Sequence, residues 1–196
     1  MRLVTAIIGE IGKIKRVNAH LKWSDLNRKG AKTSFIISRL CYIGYFLFDN
    51  LVILAKIKLI NVANRKKLAL YSYIFWLLGL VTSFSYNVFL LRISYALESN
   101  LKYSMINNKT PKQAYDSLMN ISKDRQKILF NLIRNTGDIA IAANGTNLPK
   151  MLLKTNFNYG LIAVAGLCSS AVGMYQCYQK VKKQGDSEFD LYDRGE

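Results

Sequence analysis

The chain has 196 residues, 51% of them hydrophobic, and carries 28 Lys+Arg against 12 Asp+Glu, a formal net charge of +16. That length suits one domain with a real core and is short for two. High apolar content with a basic excess points to a membrane-embedded chain with basic flanks, and it argues against a soluble nucleic-acid binder, since no zinc-ligand spacing, RNP-like motif or basic recognition helix is present.

Residues 1–22 place Val4, Ile7, Ile11, Ile14 and Leu21 at helical spacing, with Lys13, Arg16 and Lys22 between them. This is an amphipathic face, which either lies in an anionic membrane surface or packs on the rest of the protein. Gly9 and Gly12 each weaken an isolated helix here by about 1 kcal/mol relative to alanine. A secretory signal is not expected, because Gly9 and Glu10 break the apolar patch. Residues 23–33 read as a basic connector around Asn27-Arg28-Lys29-Gly30.

Residues 34–60 form an apolar segment that holds Arg39, Asp49, Lys56 and Lys58. Each charge in mid-membrane costs about 2.5–3.5 kcal/mol on the insertion scale, so a half-embedded or packed helix is expected rather than a plain span. After the basic turn at Arg65-Lys66-Lys67, residues 68–91 are free of charge, with Tyr71, Tyr73 and Trp76 toward one end. They form the first transmembrane candidate. Gly79, Ser83 and Asn87 recur every four residues, a stripe expected to face the C-terminal helix, with Asn87 as a cross-helix donor.

Residues 110–135 open with Thr110, Pro111 and Gln113, a capping arrangement. Leu118, Ile121, Ile128 and Leu132 then share one face, and Lys123, Asp124, Arg125 and Lys127 fill the other. The helix is expected to stop at Asn135–Gly137, with Gly137 in a left-handed position and Asp138 capping a short helix at 139–143. Residues 158–178 form the second transmembrane candidate, since no charge occurs from Thr155 to Gln179. Ala165, Ser169 and Gly173, with Gly166 and Ser170 beside them, make a small-residue stripe for close helix packing. The acidic segment 184–196 reads as unstructured.

The fold class is therefore all-α, a membrane-associated helical bundle with two transmembrane candidates plus amphipathic interfacial helices. Two spans place both termini on one side. The clusters at 65–67 and 180–183 make that side cytosolic under the positive-inside rule. Buried soluble helices are the competing reading of both apolar runs, disfavoured by their charge-free length.

Several short strings together resemble the peroxin-11 family of peroxisomal membrane proteins. They are Ile37-Ser38-Arg39 with Tyr45-Phe46-Leu47-Phe48-Asp49-Asn50-Leu51, Phe75-Trp76-Leu77-Leu78-Gly79-Leu80, Arg134-Asn135-Thr136-Gly137-Asp138, and the Gly166-to-Tyr175 string with Ser169, Ser170 and Gly173. The family's Gly-Arg-Asp-Lys-like N-terminal string has no counterpart. The resemblance implies a protein of the peroxisomal (or glycosomal) membrane that elongates the organelle before fission and sets its number and size. It also implies self-association into a homo-oligomer and work with dynamin-type fission machinery and its tail-anchored adaptor. Anionic phospholipids are the expected surface partner of the inserting faces Ile7, Ile11, Ile14 and Leu21, or Leu118, Ile121, Ile128 and Leu132.

A channel for small anionic metabolites is the rival reading, with Arg39, Lys56 and Lys58 as candidate lining residues. An enzyme is not expected. His20 is the only histidine and has no nearby carboxylate in sequence, and neither a phosphate loop nor a nucleophile elbow is present. No metal or cofactor site is expected either. Cys41, Cys168 and Cys177 read as small packing residues rather than a disulfide framework.

Overall fold

A computed structural model describes residues 26–61, 64–107, 111–155 and 157–192. The N-terminal amphipathic segment, with Ile7, Ile11, Ile14 and Leu21, lies outside the described residues. Five helices follow one another: α1 (Leu26–Lys56), α2 (Arg65–Asn107), α3 (Pro111–Gly145), the short α4 (Leu148–Leu153) and α5 (Tyr159–Tyr192). No strand occurs among the described residues.

Each of the four long helices outruns its expected limit at one end, although α1 stops at Lys56, short of residue 60. The α1 helix begins inside the basic connector, where lysine, arginine and alanine are good helix formers. The α2 helix continues past Leu91 to Asn107. That extension holds neither glycine nor proline and is supported by the Glu98–Lys102 pair, 2.7 Å apart and one turn apart in sequence. The expected break at Asn135–Gly137 does not form: α3 runs unbroken to Gly145, so Asp138 caps nothing. Likewise α5 carries on to Tyr192, through most of the segment expected to be unstructured.

The long helices form a row rather than a closed bundle. Among the described residues α1 packs on α2, α2 on α3, and α3 on α5, with α4 touching only α3. Successive neighbours are antiparallel, as residue pairings show. Phe35 meets Tyr86, Tyr45 meets Trp76 and Phe48 meets Phe75, with ring centroids 5.1, 5.7 and 5.3 Å apart. Further along the row Asn135 meets Ser83, Gly145 lies against Tyr73, and Phe130 packs on Tyr175 at 5.2 Å. At 1.5 Å rise per residue these pairings set residues 71–91 of α2 level with roughly 29–49 of α1, with 128–145 of α3 and the turn after it, and with 159–178 of α5.

Three of the helices are long and apolar enough to cross a membrane: Lys29–Lys56, Arg65–Tyr103 and Tyr159–Lys182. The first joins the two expected from sequence. Its Arg39 is not thrust into lipid, because the guanidinium lies 4.7 Å from the Phe35 ring centroid and 5.3 Å from that of Tyr42. Large apolar side chains point outward along all three, among them Leu40, Leu78 and Leu167 at 57, 49 and 71% exposure. Residues buried between helices are mostly small: Ala31, Ala55, Ala142, Ala143, Ser38, Ser83 and Ser169. Helices that associate in lipid gain little from burying large apolar groups and pack through small ones, and this distribution follows that rule.

Candidate functional site: a polar seam through the helix row

Near the middle of the row every long helix contributes polar side chains at one level. On α1, Ser38 turns its hydroxyl back onto the Phe35 carbonyl (2.8 Å), and Arg39 stacks between Phe35 and Tyr42. Tyr42 reaches across to the Ser83 hydroxyl on α2. Asn135 on α3 donates to that same hydroxyl at 3.2 Å, in a buried contact. Asp138, one turn further along α3, accepts a hydrogen bond from Ser169 of α5 and lies 3.9 Å from Arg134. Gln176 of α5 donates to Asn131 of α3 at 2.8 Å.

The sequence of α3 makes this possible. Asn131, Asn135 and Asp138 are spaced four and three apart, so they share one helix face. Leu129 and Ile133 fall on another and stay 42 and 50% exposed. Polar groups without water must find partners within the protein, and the seam supplies them helix by helix. Gly137 lets α5 approach α3 closely: a Cβ there would lie 2.6 Å from the Ala165 carbonyl oxygen and 3.1 Å from Ser169 Cβ. A glycine that reads as a helix stop instead serves close approach.

The small-residue stripes fall differently from expectation. Gly79, Ser83 and Asn87 are all buried, but they face α1 and α3 rather than the C-terminal helix. A Cβ on Gly79 would come within 3.2 Å of the Tyr42 ring. Asn87 donates to the Ser83 carbonyl of its own helix (2.8 Å) instead of crossing to a neighbour. On α5, Ala165 and Ser169 lie against Gly137, and Gly166 against Ile141. Ser170 is exposed, and Gly173 has nothing within 4 Å of its Cβ position.

Leu118, Ile121, Ile128 and Leu132 are half-buried, turned partly toward their neighbours. The apolar side chains of α3 that stand outward are Tyr115, Met119, Leu129 and Ile133. The three cations read as candidate channel lining are not brought together. Arg39 lies in the seam, whereas Lys56 and Lys58 are exposed at one end of the row, roughly 25 Å further along the helix direction. Among the described residues no group of His, Cys, Asp and Glu is placed to hold a metal ion.

A second polar cluster joins α2 and α3 beyond the seam. Arg125 pairs with Glu98 through Nη2 and stacks over Tyr95, with Cζ 4.5 Å from the ring centroid. Lys102 closes the group from the next turn of α2. Hydrogen bonding to Glu98 pushes the Arg125 pKa above its ordinary value, so this guanidinium stays charged. Sequence reasoning saw Arg125 only as part of a solvated face. The pairing depends on the α2–α3 register, which no local pattern encodes.

The family profile of peroxisomal biogenesis factor 11 (PEX11) matches residues 7–178. This chain belongs to the PEX11 family. It is similar to the peroxisomal membrane protein 11 homolog of Dictyostelium discoideum, 27% identical over 154 residues, which cover 69% of this chain and 58% of that protein. The chain thus spans little more than half the length of the curated relative it matches. No solved structure matches it. As a PEX11-family chain it is a membrane protein of peroxisome biogenesis, in a family not known for enzymes. Four strings that carried the resemblance meet around the seam: Arg39 and Tyr45 on α1, Gly79 on α2, Arg134–Asp138 on α3 and Gly166–Tyr175 on α5.

Proposed function

We propose that this PEX11-family protein crosses the peroxisomal membrane four times and reshapes it, elongating the organelle before fission and so setting peroxisome number and size. The observation that carries this reading is the lopsided row. At the end where α2 leaves and α3 enters, both helices continue well beyond the common level, about 16 residues or roughly 24 Å each. At the other end the connections are short.

The fourth crossing is α3. Its residues 128–145 lie level with the three apolar spans, and Asn135, Asp138 and Asn131 are met by Ser83, Ser169 and Gln176. Mean hydropathy misses such a helix because Asn131, Asn135 and Asp138 face protein, while the half-exposed Arg134 lies 3.9 Å from Asp138 and the exposed Thr136 hydroxyl donates to the Leu132 carbonyl of its own helix. Four crossings return both ends of the described chain to one face. That face carries Lys29, Lys32, Arg92, Lys102, Lys123, Lys127, Lys180 and Lys182, and the rule on positive loops makes it cytosolic. The cluster at 65–67 then lies at the opposite, luminal end from that at 180–183, unlike the two-span reading.

In this arrangement the base of the projecting α2–α3 hairpin adds volume to the cytosolic headgroup layer, and exposed Leu97, Met119, Tyr103 and Tyr115 follow one another from about 9 to 20 Å beyond the apolar level. Volume added to one leaflet favours curvature, and self-association concentrates it. Dynamin-type machinery and its tail-anchored adaptor would meet the same cytosolic face. A channel is less well supported, because one open row of helices encloses no pore.

The test is tubulation of liposomes containing anionic phospholipid by the full chain, followed by electron microscopy. Wild-type protein is expected to draw tubes. Loss of tubes in Leu97→Glu assigns the wedge to the base of the α2–α3 hairpin, and loss in Ile11→Glu assigns it to the N-terminal face. Undiminished tubulation by the double variant would overturn the wedge mechanism.

A further inference from the structure

The geometry points to a binding site for a phosphate group, carried by a lipid headgroup or free in solution, between the end of α2 and the first half of α3. A cavity of about 320 Å³ is lined there by Tyr95, Glu98, Ser99, Lys102 and Arg125. It adjoins a second of about 330 Å³ that shares Glu98, Lys102 and Arg125 and adds the apolar Leu118 and Met119. Both are within the size range of small-ligand sites.

Depth is the first argument. The common apolar level ends near Leu91 on α2 and Ile128 on α3. Tyr95 and Arg125 lie about 6 and 5 Å beyond Leu91 and Ile128, inside a headgroup layer that extends roughly 5–8 Å past the hydrocarbon, while Glu98 and Lys102 lie about 10 and 16 Å out, on its aqueous side. Lys102 is 62% exposed at its side chain and long enough to bend back toward that layer.

Charge and shape supply the second. Lys102 and Arg125 together outweigh Glu98, so the cavity is net positive at the place where lipid phosphates lie. Glu98 takes one guanidinium nitrogen and the lysine ammonium, fixing both cations in position and leaving the group with one net positive charge. Tyr95 beneath the Arg125 guanidinium holds its plane. The depth of this site rests on the four-crossing reading but not on the wedge mechanism: a protein that bends no membrane can still hold a phosphate here.

The experiment is native mass spectrometry of the full detergent-solubilised chain with dihexanoyl phosphatidic acid, and separately with inorganic phosphate. Two substitutions probe the cavity: Lys102→Gln removes a cation on an exposed side chain, and Ser99→Phe fills the space without changing charge. Lys123→Gln, an exposed cation outside the cavity, is the control. The site is supported if saturable binding weakens about tenfold in Lys102→Gln, the equivalent of one charge-assisted hydrogen bond, and comparably in Ser99→Phe, while Lys123→Gln is unchanged. Binding of the lipid but not the inorganic ion names a headgroup as the source, and equal binding of both names soluble phosphate. The absence of saturable binding, or an equal loss in all three variants, would overturn the assignment.

Discussion

Asn135 of α3 donates its side-chain amide to the hydroxyl of Ser83 on α2, 3.2 Å away, in a contact buried at the middle of the helix row. It joins residues 52 positions apart in sequence and fixes the register on which the depth of α3 depends. Asn135→Ala leaves Ser83 with one partner fewer and is expected to lower stability by about 1 kcal/mol, in line with interhelical hydrogen bonds in membranes. Replacing both, as Asn135→Leu with Ser83→Ala, is expected to cost less than the single changes combined. Thermal unfolding in detergent of the four proteins of this double-mutant cycle gives the coupling directly.

Gly137 and Gly173 make a matched pair. In an isolated helix, alanine at either position would stabilise by about 1 kcal/mol. At Gly137 the new Cβ would meet the α5 backbone at 2.6 Å, so Gly137→Ala is expected to force α3 and α5 apart and lower the unfolding midpoint. At Gly173 nothing lies within 4 Å, and Gly173→Ala is expected to be neutral or stabilising. Oxidative crosslinking of an Asn131→Cys and Gln176→Cys pair, with Cys41, Cys168 and Cys177 replaced by serine, reads the same separation. The yield falls with Gly137→Ala and holds with Gly173→Ala.

Arg39 is held by ring faces, not by a pore. Its guanidinium lies over Phe35 and Tyr42, and lysine cannot reproduce the planar stacking. Arg39→Lys is therefore expected to destabilise the protein despite keeping the charge, by about 0.5–2 kcal/mol, the range of one cation–π contact. Lys56→Gln and Lys58→Gln are expected to change the unfolding midpoint little, because both side chains are exposed at a helix end. Planar-bilayer recording of the same proteins tests the rival role. An anion conductance that disappears with Lys56→Gln would argue for the channel.

Much of this arrangement is legible in the sequence, and the rest fails for identifiable reasons. The charge-free runs at 68–91 and 158–178 announce spans by length alone. The all-helical class follows from periodicity and from having only Pro111 and Pro149 as prolines. Gly137 misleads, because a local rule reads glycine near polar residues as a helix end, whereas the approach of Ala165 that explains it is a tertiary fact. Arg39 makes α1 look too costly for a span until Phe35 and Tyr42 are seen to cover it. The stripe at Gly79, Ser83 and Asn87 is visible, but spacing cannot say which neighbour it faces. One signal was available and unused: Asn131, Asn135 and Asp138 already mark a continuous polar face on α3 inside otherwise apolar sequence.

The four-crossing row is the central claim, and α3 is the helix that decides it. The most direct measurement is thiol labelling of isolated intact peroxisomes with a membrane-impermeant maleimide, using single-cysteine proteins in a background without Cys41, Cys168 and Cys177. Tyr103→Cys and Lys182→Cys are expected to label in intact organelles, and Lys58→Cys and Lys154→Cys only after permeabilisation. The reverse pattern would keep four crossings and invert their orientation. Labelling of Tyr103→Cys and Lys154→Cys together from the same side would show that α3 does not cross the membrane, and the account built on its depth would fall.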